Sequence, residues 1–148
     1  MIGNEPIYTS QAQYDRAHPT TSAKDGNGRV DTNASTTTHQ TYQKTNEKTG
    51  EVYSGKTSGK GTPEQNVANR DKKPDHQQKN EDGYGPAKLE QSSTNKSAVR
   101  GREQQLIDKN GGAKSQGGTS GNKIQGIRNA NPHRQECLDA AKKEFGNL

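Results

Sequence analysis

The chain has 148 residues, 22% of them hydrophobic and 4% aromatic, with no Trp and a single Phe, Met and Cys. So little apolar matter excludes a large core, the lone Cys137 excludes an internal disulfide, and no apolar run is long enough to span a membrane. The net charge of +5 is uneven: residues 1–40 hold three basic groups (Arg16, Lys24, Arg29) against four acidic (Glu5, Asp15, Asp25, Asp31), so the surplus lies in residues 41–148 and points to an anionic partner such as nucleic acid.

Residues 1–39 show no sustained period and are rich in Thr, Ser, Asn and Gly, the composition of a disordered or loosely attached N-terminal arm. The opening "MIGNEPIYTSQAQ" has neither a basic n-region nor an apolar h-region, so no signal peptide is expected. The text changes at Gln40, where a small domain of residues 40–148 begins. "QTYQKT" and "EVYSGK" are strand candidates that place Tyr42 and Tyr53 on either side of "NEKTG", whose Asn and Gly suit a hairpin turn.

"TPEQNVANRD" carries a helix start: Thr62 as N-cap, Pro63 in the first position and Gln65 completing a capping box, with Pro74 as the stop. "KKPDHQQKN" then reads as a polar loop that holds His76 in solvent. "KSAVRGREQQLIDKNGG" is the best-patterned helix, with Val99, Glu103 and Leu106 at i, i+4 and i+7, Ile107 beside them and Gly111-Gly112 as the stop. Beyond the glycine-rich "KSQGGTSGNKIQGI" a last helix is expected, with Asn131 as cap, Pro132 first, Leu138, Ala141 and Phe145 on its apolar side and Gly146 at its end. The expected fold is α+β: a small antiparallel hairpin or sheet packed with three or more helices.

Several residues have two readings. Glu103 lies on an apolar stripe, where an unpaired carboxylate is costly, so it either serves a site or pairs with Arg100 or Arg102. Tyr42 and Tyr53 either pack the hairpin or face a substrate, and Arg70 either complements a helix C-terminus or contacts an anion. "SQGGTSGN" is a backbone cradle for phosphate or a plain connector, and Asn122 within it a turn residue or a site residue. "TSGKGT" lacks the full P-loop pattern. Cys137 with His133 lacks an oxyanion device and an orienting partner, and the scattered His and Cys make no zinc site.

A strand with Tyr, a turn, a strand with Tyr-x-Gly, a helix with Arg, a later helix with Glu and a loop with Asn, in that order, resemble the GIY-YIG nuclease family. "QTY" (Gln40-Thr41-Tyr42) stands at the first motif and "YSG" (Tyr53-Ser54-Gly55) at the second; Gln40 and Thr41 replace a glycine and an isoleucine, and Lys44 takes a place that is usually apolar. The stretch "GYGPAKLE…AVRGREQQLIDKNGGAKSQGGTSGN" also resembles the C-terminal toxin modules of Rhs-type bacterial polymorphic toxins. Together these resemblances imply an antibacterial toxin domain that hydrolyses DNA with one divalent cation, Mg²⁺ or a similar ion. They further imply a longer secreted parent polypeptide, action in the cytoplasm of a target bacterial cell, and a cognate immunity protein.

On that reading Glu103 holds the metal, Arg70 grips the scissile phosphate, and Tyr42 or Tyr53 orients or deprotonates the attacking water, with His76 as the rival base. Asn122 or Asn129 takes the place of the family asparagine, and Lys56, Arg70, Arg100, Arg102 and Lys123 contact nucleic acid. The alternatives are a non-catalytic, basic nucleic-acid-binding module, which needs its Lys and Arg but not Glu103, a toxin of another chemistry such as an RNase, and a mostly disordered spacer.

Overall fold

The structure, a computed structural model, describes residues 36–148; residues 1–35, most of the expected arm, lie outside the described residues. In chain order it contains strands β1 (Thr38–Thr45) and β2 (Val52–Gly59), helices α1 (Pro63–Asp71) and α2 (Pro74–Glu81), strand β3 (Lys88–Ser93), helix α3 (Lys96–Lys109), a short 3-10 turn (Lys114–Gln116) and helix α4 (Arg134–Phe145). The fold is α+β, and Thr38 and His39, assigned to the arm by composition, already belong to β1.

The three strands form an antiparallel sheet in the order β2-β1-β3, so β1 is central. Its two faces are used differently. Gln40, Tyr42 and Lys44 of β1 meet Asn66 of α1, His76 of α2 and Asp71 of α1 respectively. From the opposite face Thr41 reaches Glu90 of β3, which holds Arg102 of α3. Helix α4 packs outside α3, where Gly101 has no room for a Cβ against the Cys137 carbonyl.

The local signals explain most element boundaries. The hairpin closes with Gly50 at φ +82° and with Asn46 Oδ1 accepting the N–H groups of Lys48 and Thr49. Both halves of the Thr62/Gln65 capping box form. Asn95 caps α3 by accepting the Ala98 N–H, and Gly111 and Gly112 end it at positive φ. Three features depart from the sequence reading. Pro74 does not merely stop α1 but opens α2, so His76 is helical and buried instead of solvated in a loop. Strand β3, "KLEQSS", has almost no apolar alternation and escapes a periodicity test. Helix α4 starts at Arg134; Asn131 spends its side chain on the His133 N–H in the preceding turn.

Among the described residues buried polar side chains outnumber buried apolar ones, sixteen to eleven with Pro63 counted, so hydrogen bonding rather than apolar area must knit this interior. Gln40 shows how: it donates to Thr38 and Ser92 and accepts from Asn66, tying α1 to two strands. Lys44, wholly buried, pairs with Asp71 and donates to Asn80 at 2.7 Å, so a charge fills the place expected to be apolar and clamps α1 and α2 to β1. No helix among the described residues is long and apolar enough to cross a membrane.

Candidate active site

The hairpin register places Tyr42 directly opposite Gly55 and Lys44 opposite Tyr53. A Cβ on Gly55 would stand 2.5 Å from the Tyr42 hydroxyl, so the glycine of "YSG" is the space that the first tyrosine occupies. Running over Gly55, the Tyr42 hydroxyl meets His76 Nε2 at 2.9 Å. The three rings of Tyr42, Tyr53 and His76 form a closed cluster with centroids 5.5 to 6.4 Å apart, and Lys79 of α2 sits 4.5 Å over the Tyr53 ring.

The members of this cluster are not equivalent. Tyr42 and His76 are fully buried, whereas Tyr53 is half-buried and lines a cleft of about 670 Å³. Burial, reinforced by its neighbour Tyr53, pushes the Tyr42 hydroxyl above the ordinary phenol range. Tyr53 is raised by burial and then by the Glu103 charge. Both are therefore proton donors at neutral pH, which disfavours either as a base. Burial, helped by the Arg70 charge, lowers His76 to about 4, so its imidazole is neutral and Nε2 shares one proton with Tyr42, while Nδ1 has no partner among the described residues.

Glu103 enters the same cleft from α3. It is 8% exposed, and its carboxylate makes no hydrogen bond or salt bridge among the described residues. Burial raises its pKa, opposed by the charges of Lys56 and Arg100. Gly126 packs so closely against it that a Cβ there would stand 2.7 Å from Oε1, and the carboxylate lines the cleft beside it. No cluster of three or more His, Cys, Asp or Glu side chains suited to a metal occurs among the described residues. One hard oxygen donor with free space beside it fits a cation that keeps most of its waters, in the manner of Mg²⁺, and does not fit a dehydrated cage.

The remaining residues singled out in the sequence divide. Lys56 and Lys123 line the cleft with Tyr53, Glu103 and Asn122. Asn122 spends both ends of its amide on the Ser54 backbone, accepting the N–H at 2.9 Å and donating to the C=O at 2.8 Å, so it anchors the cleft loop to β2. Asn129 is exposed and bonds Gln125 and Gln116. Arg70 is held by a two-pronged contact with Asp75, 3.0 and 2.8 Å, which fixes the start of α2 and so the His76 ring. Arg100 is half-buried beside Glu103, but Arg102 is sequestered: Glu90 takes its guanidinium at 2.7 to 3.2 Å and Phe145 covers it. To contact nucleic acid Arg102 would have to exchange Glu90 for it.

The loop "SQGGTSGN" is no phosphate cradle either, because every backbone N–H from Gln116 to Asn122 is already bonded within the protein. Two cleft groups were missed by the sequence reading, Lys79 and Tyr84. Lys79 sits three residues after His76 on one helix face, a spacing visible only once that segment is taken as helical. Comparison of the chain with protein-family models, with curated proteins and with solved structures returns no match.

Proposed function

We propose that this domain hydrolyses phosphodiester bonds in DNA with one divalent cation, as a toxin domain carried by a longer secreted polypeptide and acting inside a target bacterial cell. One observation carries the catalytic reading: Glu103, nine-tenths buried and without a partner among the described residues, faces a cleft lined by Tyr53, by Lys56, Lys79, Lys114 and Lys123, and by the carboxylates of Glu51, Asp75 and Asp82. A fold keeps so costly a carboxylate where it is used. A plain nucleic-acid-binding surface has no need of it.

Glu103 would hold the cation, which when bound supplies an acidified water and charge for the developing oxyanion. The chain's own groups do the rest. Lys56 and Lys123 neutralise phosphates along the cleft wall. Tyr53, protonated at neutral pH, donates to a phosphate oxygen, and Lys79 over its ring favours that donation. Tyr42 and His76 hold the Tyr53 ring from behind, and the Arg70–Asp75 contact holds His76. Arg70 acts on phosphate only by exchanging Asp75 for it. The implied immunity protein would cover the cleft, meeting Lys56, Lys79 and Lys123 with acidic groups.

The test is supercoiled plasmid incubated with the full chain in Mg²⁺ or in EDTA, beside Glu103→Gln. Nicking that needs both the cation and Glu103 is the expected result. Intact plasmid from a chain shown to be folded refutes DNA hydrolysis, and the same assay on RNA then decides between another nuclease chemistry and a binding module.

A further inference from the structure

Within the cleft four lysines are matched by four carboxylates, so its lining carries no net charge and gives a bound chain no direction. That balance ends on one side. Strand alternation puts His39 on the same face of β1 as Thr41, the face from which Thr41 reaches Glu90 and, through it, Arg102 of α3. The register sets Lys56 of β2 opposite Thr41 and Ser58 opposite His39. Along α3 stand Lys96, Arg100 and Glu103, at i, i+4 and i+7, on one stripe of the helix. The charges that act on buried Glu103 are those of Lys56 and Arg100, and the charges that act on His39 are those of Lys96 and Lys56. These residues therefore form one row, which starts at Glu103 and leaves the cleft toward the beginning of α3.

The cations of this row are not neutralised within the protein. Lys56 and Lys96 are exposed and Arg100 is half-buried, and none of the three side chains has a hydrogen bond or salt bridge among the described residues. The carboxylates on the neighbouring elements are engaged: Glu90 holds Thr41 and Arg102, and Glu144 accepts from Ser93 on the β3 side at 2.5 Å. The arrangement works against the fold. Lys96 opens α3 at the positive end of the helix, with no acidic residue in the first turn, and Arg100 repeats its charge one turn later. Burial, together with Lys96 and Lys56, lowers the His39 pKa, so its ring is neutral at pH 7. The composition of the row selects its partner. A protein interface is anchored on aromatic or aliphatic groups at its centre, and the two exposed large hydrophobic residues among the described ones, Ile124 and Leu148, lie on neither β2 nor α3. Lysine, arginine and an exposed serine in a line are the donors that take phosphate oxygens.

We propose, resting on the nucleic-acid reading of the cleft, that one strand of the bound nucleic acid leaves Glu103 along this row, its phosphates held first by Lys56 and Arg100 and then by Lys96, with Ser58 as a further donor. Lys96 precedes Glu103 by seven residues, about 10 Å along α3, and at about 3.4 Å per nucleotide of a duplex strand that distance covers about three nucleotides. The grip is one-sided. On the other side of Glu103 the lysines of the cleft are offset by its carboxylates. A substrate must accordingly extend about three nucleotides from the reacting phosphate toward α3, and ends shorter than that are held weakly.

The experiment uses the full chain in EDTA, so that no cleavage is needed, and a short fluorescent DNA duplex whose binding is followed by anisotropy across a salt series. Lys96→Ala and Arg100→Ala, checked for an intact fold by circular dichroism, should each flatten the slope of log affinity against log salt by about 0.9 and weaken binding by up to about tenfold at about 0.1 M salt. Lys109→Ala, at the far end of the same helix, should change neither. In Mg²⁺, methylphosphonates that neutralise single phosphates should suppress nicking when they lie within about three nucleotides on one side of the cut and not on the other. Slopes unchanged in both variants, an equal loss in Lys109→Ala, symmetric methylphosphonate interference, or no binding by wild type overturns the row. So does Lys96-dependent binding of polyglutamate in place of duplex, which would assign these cations to an acidic protein. Unchanged slopes with plasmid nicking retained overturn the row and leave the nuclease reading standing, whereas flattened slopes without nicking leave the row standing alone.

Discussion

Gly55→Ala tests the geometry on which the site is built. The added Cβ would lie 2.5 Å from the Tyr42 hydroxyl oxygen and 2.6 Å from Cζ. Ordinary contacts between such atoms need about 3.5 Å, so the ring would have to withdraw by roughly 1 Å. It has nowhere to go: it is 1% exposed, its hydroxyl is bound to His76 at 2.9 Å, and the Tyr53 ring closes its other side. Overpacking of this kind costs about 1–3 kcal/mol, and loss of the Tyr42–His76 bond adds about 1 kcal/mol, a total of about 2–4 kcal/mol. For a domain of this size that lowers Tm by roughly 10 °C or more. Thermal and urea unfolding followed by circular dichroism read the effect. Against a Tyr42→Ala background, which removes the clash, the same Gly55→Ala change should be neutral or stabilising by up to about 1 kcal/mol, because alanine narrows the unfolded ensemble. An effect below about 0.5 kcal/mol in wild type, or an equal penalty in both backgrounds, refutes the argument.

Glu103→Gln should abolish cleavage and raise Tm at neutral pH. Its folded pKa is raised by burial, so the folded state binds more protons than the unfolded one and Glu103 removes stability as pH rises above the free carboxylate value of about 4.3; the Tm gap to wild type therefore opens above that pH and closes below it. A variant no more stable than wild type at pH 7 shows that the carboxylate is compensated. His76 works in the opposite sense: lowered from 6.5 to about 4, it contributes stability that is complete above the free value and is lost as pH falls through about 4. Urea midpoints should thus fall between these two values, and a His76→Gln chain should lose that part of the slope; identical slopes refute a neutral buried His76. Asp71→Ala leaves wholly buried Lys44 without its charged partner and should cost about 3–5 kcal/mol, whereas Lys44→Met leaves an Asp71 that water can reach and should cost clearly less. Equal costs from the two changes would show that the pair acts only by packing.

How much of this was legible in the sequence depended on whether a residue's partner was near or far along the chain. The hairpin, the capping box at Thr62 and the helix around Glu103 rest on contacts within a few residues, and all three form as read. Helix α2 was missed because a single residue, His76, is buried on it and its N-cap residue Lys73 makes no side-chain cap, so neither apolar period nor capping chemistry marks it. Only Pro74 in the first turn, Asp75 after it and Lys79 in the last turn carried a signal. Strand β3 buries Gln91, Ser92 and Ser93, residues that composition assigns to loops. Asn122 was expected at the site, but its partner Ser54 lies 68 residues away, and no local pattern distinguishes an anchoring amide from a reacting one.

The same distance in sequence separates the two tiers of the candidate site. Tyr42, Arg70, His76 and Asn122 all carry side chains of catalytic type, yet each is tied to the protein, with one another, with Asp75, or with the Ser54 backbone, His76 through Nε2 only while its Nδ1 has no partner among the described residues. Tyr53, Lys56, Glu103 and Lys123 line the cleft, and Asn122 lines it too but with its amide spent on Ser54. A sequence motif cannot separate these tiers, because both use the same residue types in the same order. Hydrogen-bond accounting separates them: a buried carboxylate left unpaired must be compensated from outside the fold, while a buried histidine bound to tyrosine is already largely compensated within it. Glu103 is therefore the residue whose replacement should relieve the fold and disable the site together, a combination that no purely structural residue of this domain can give.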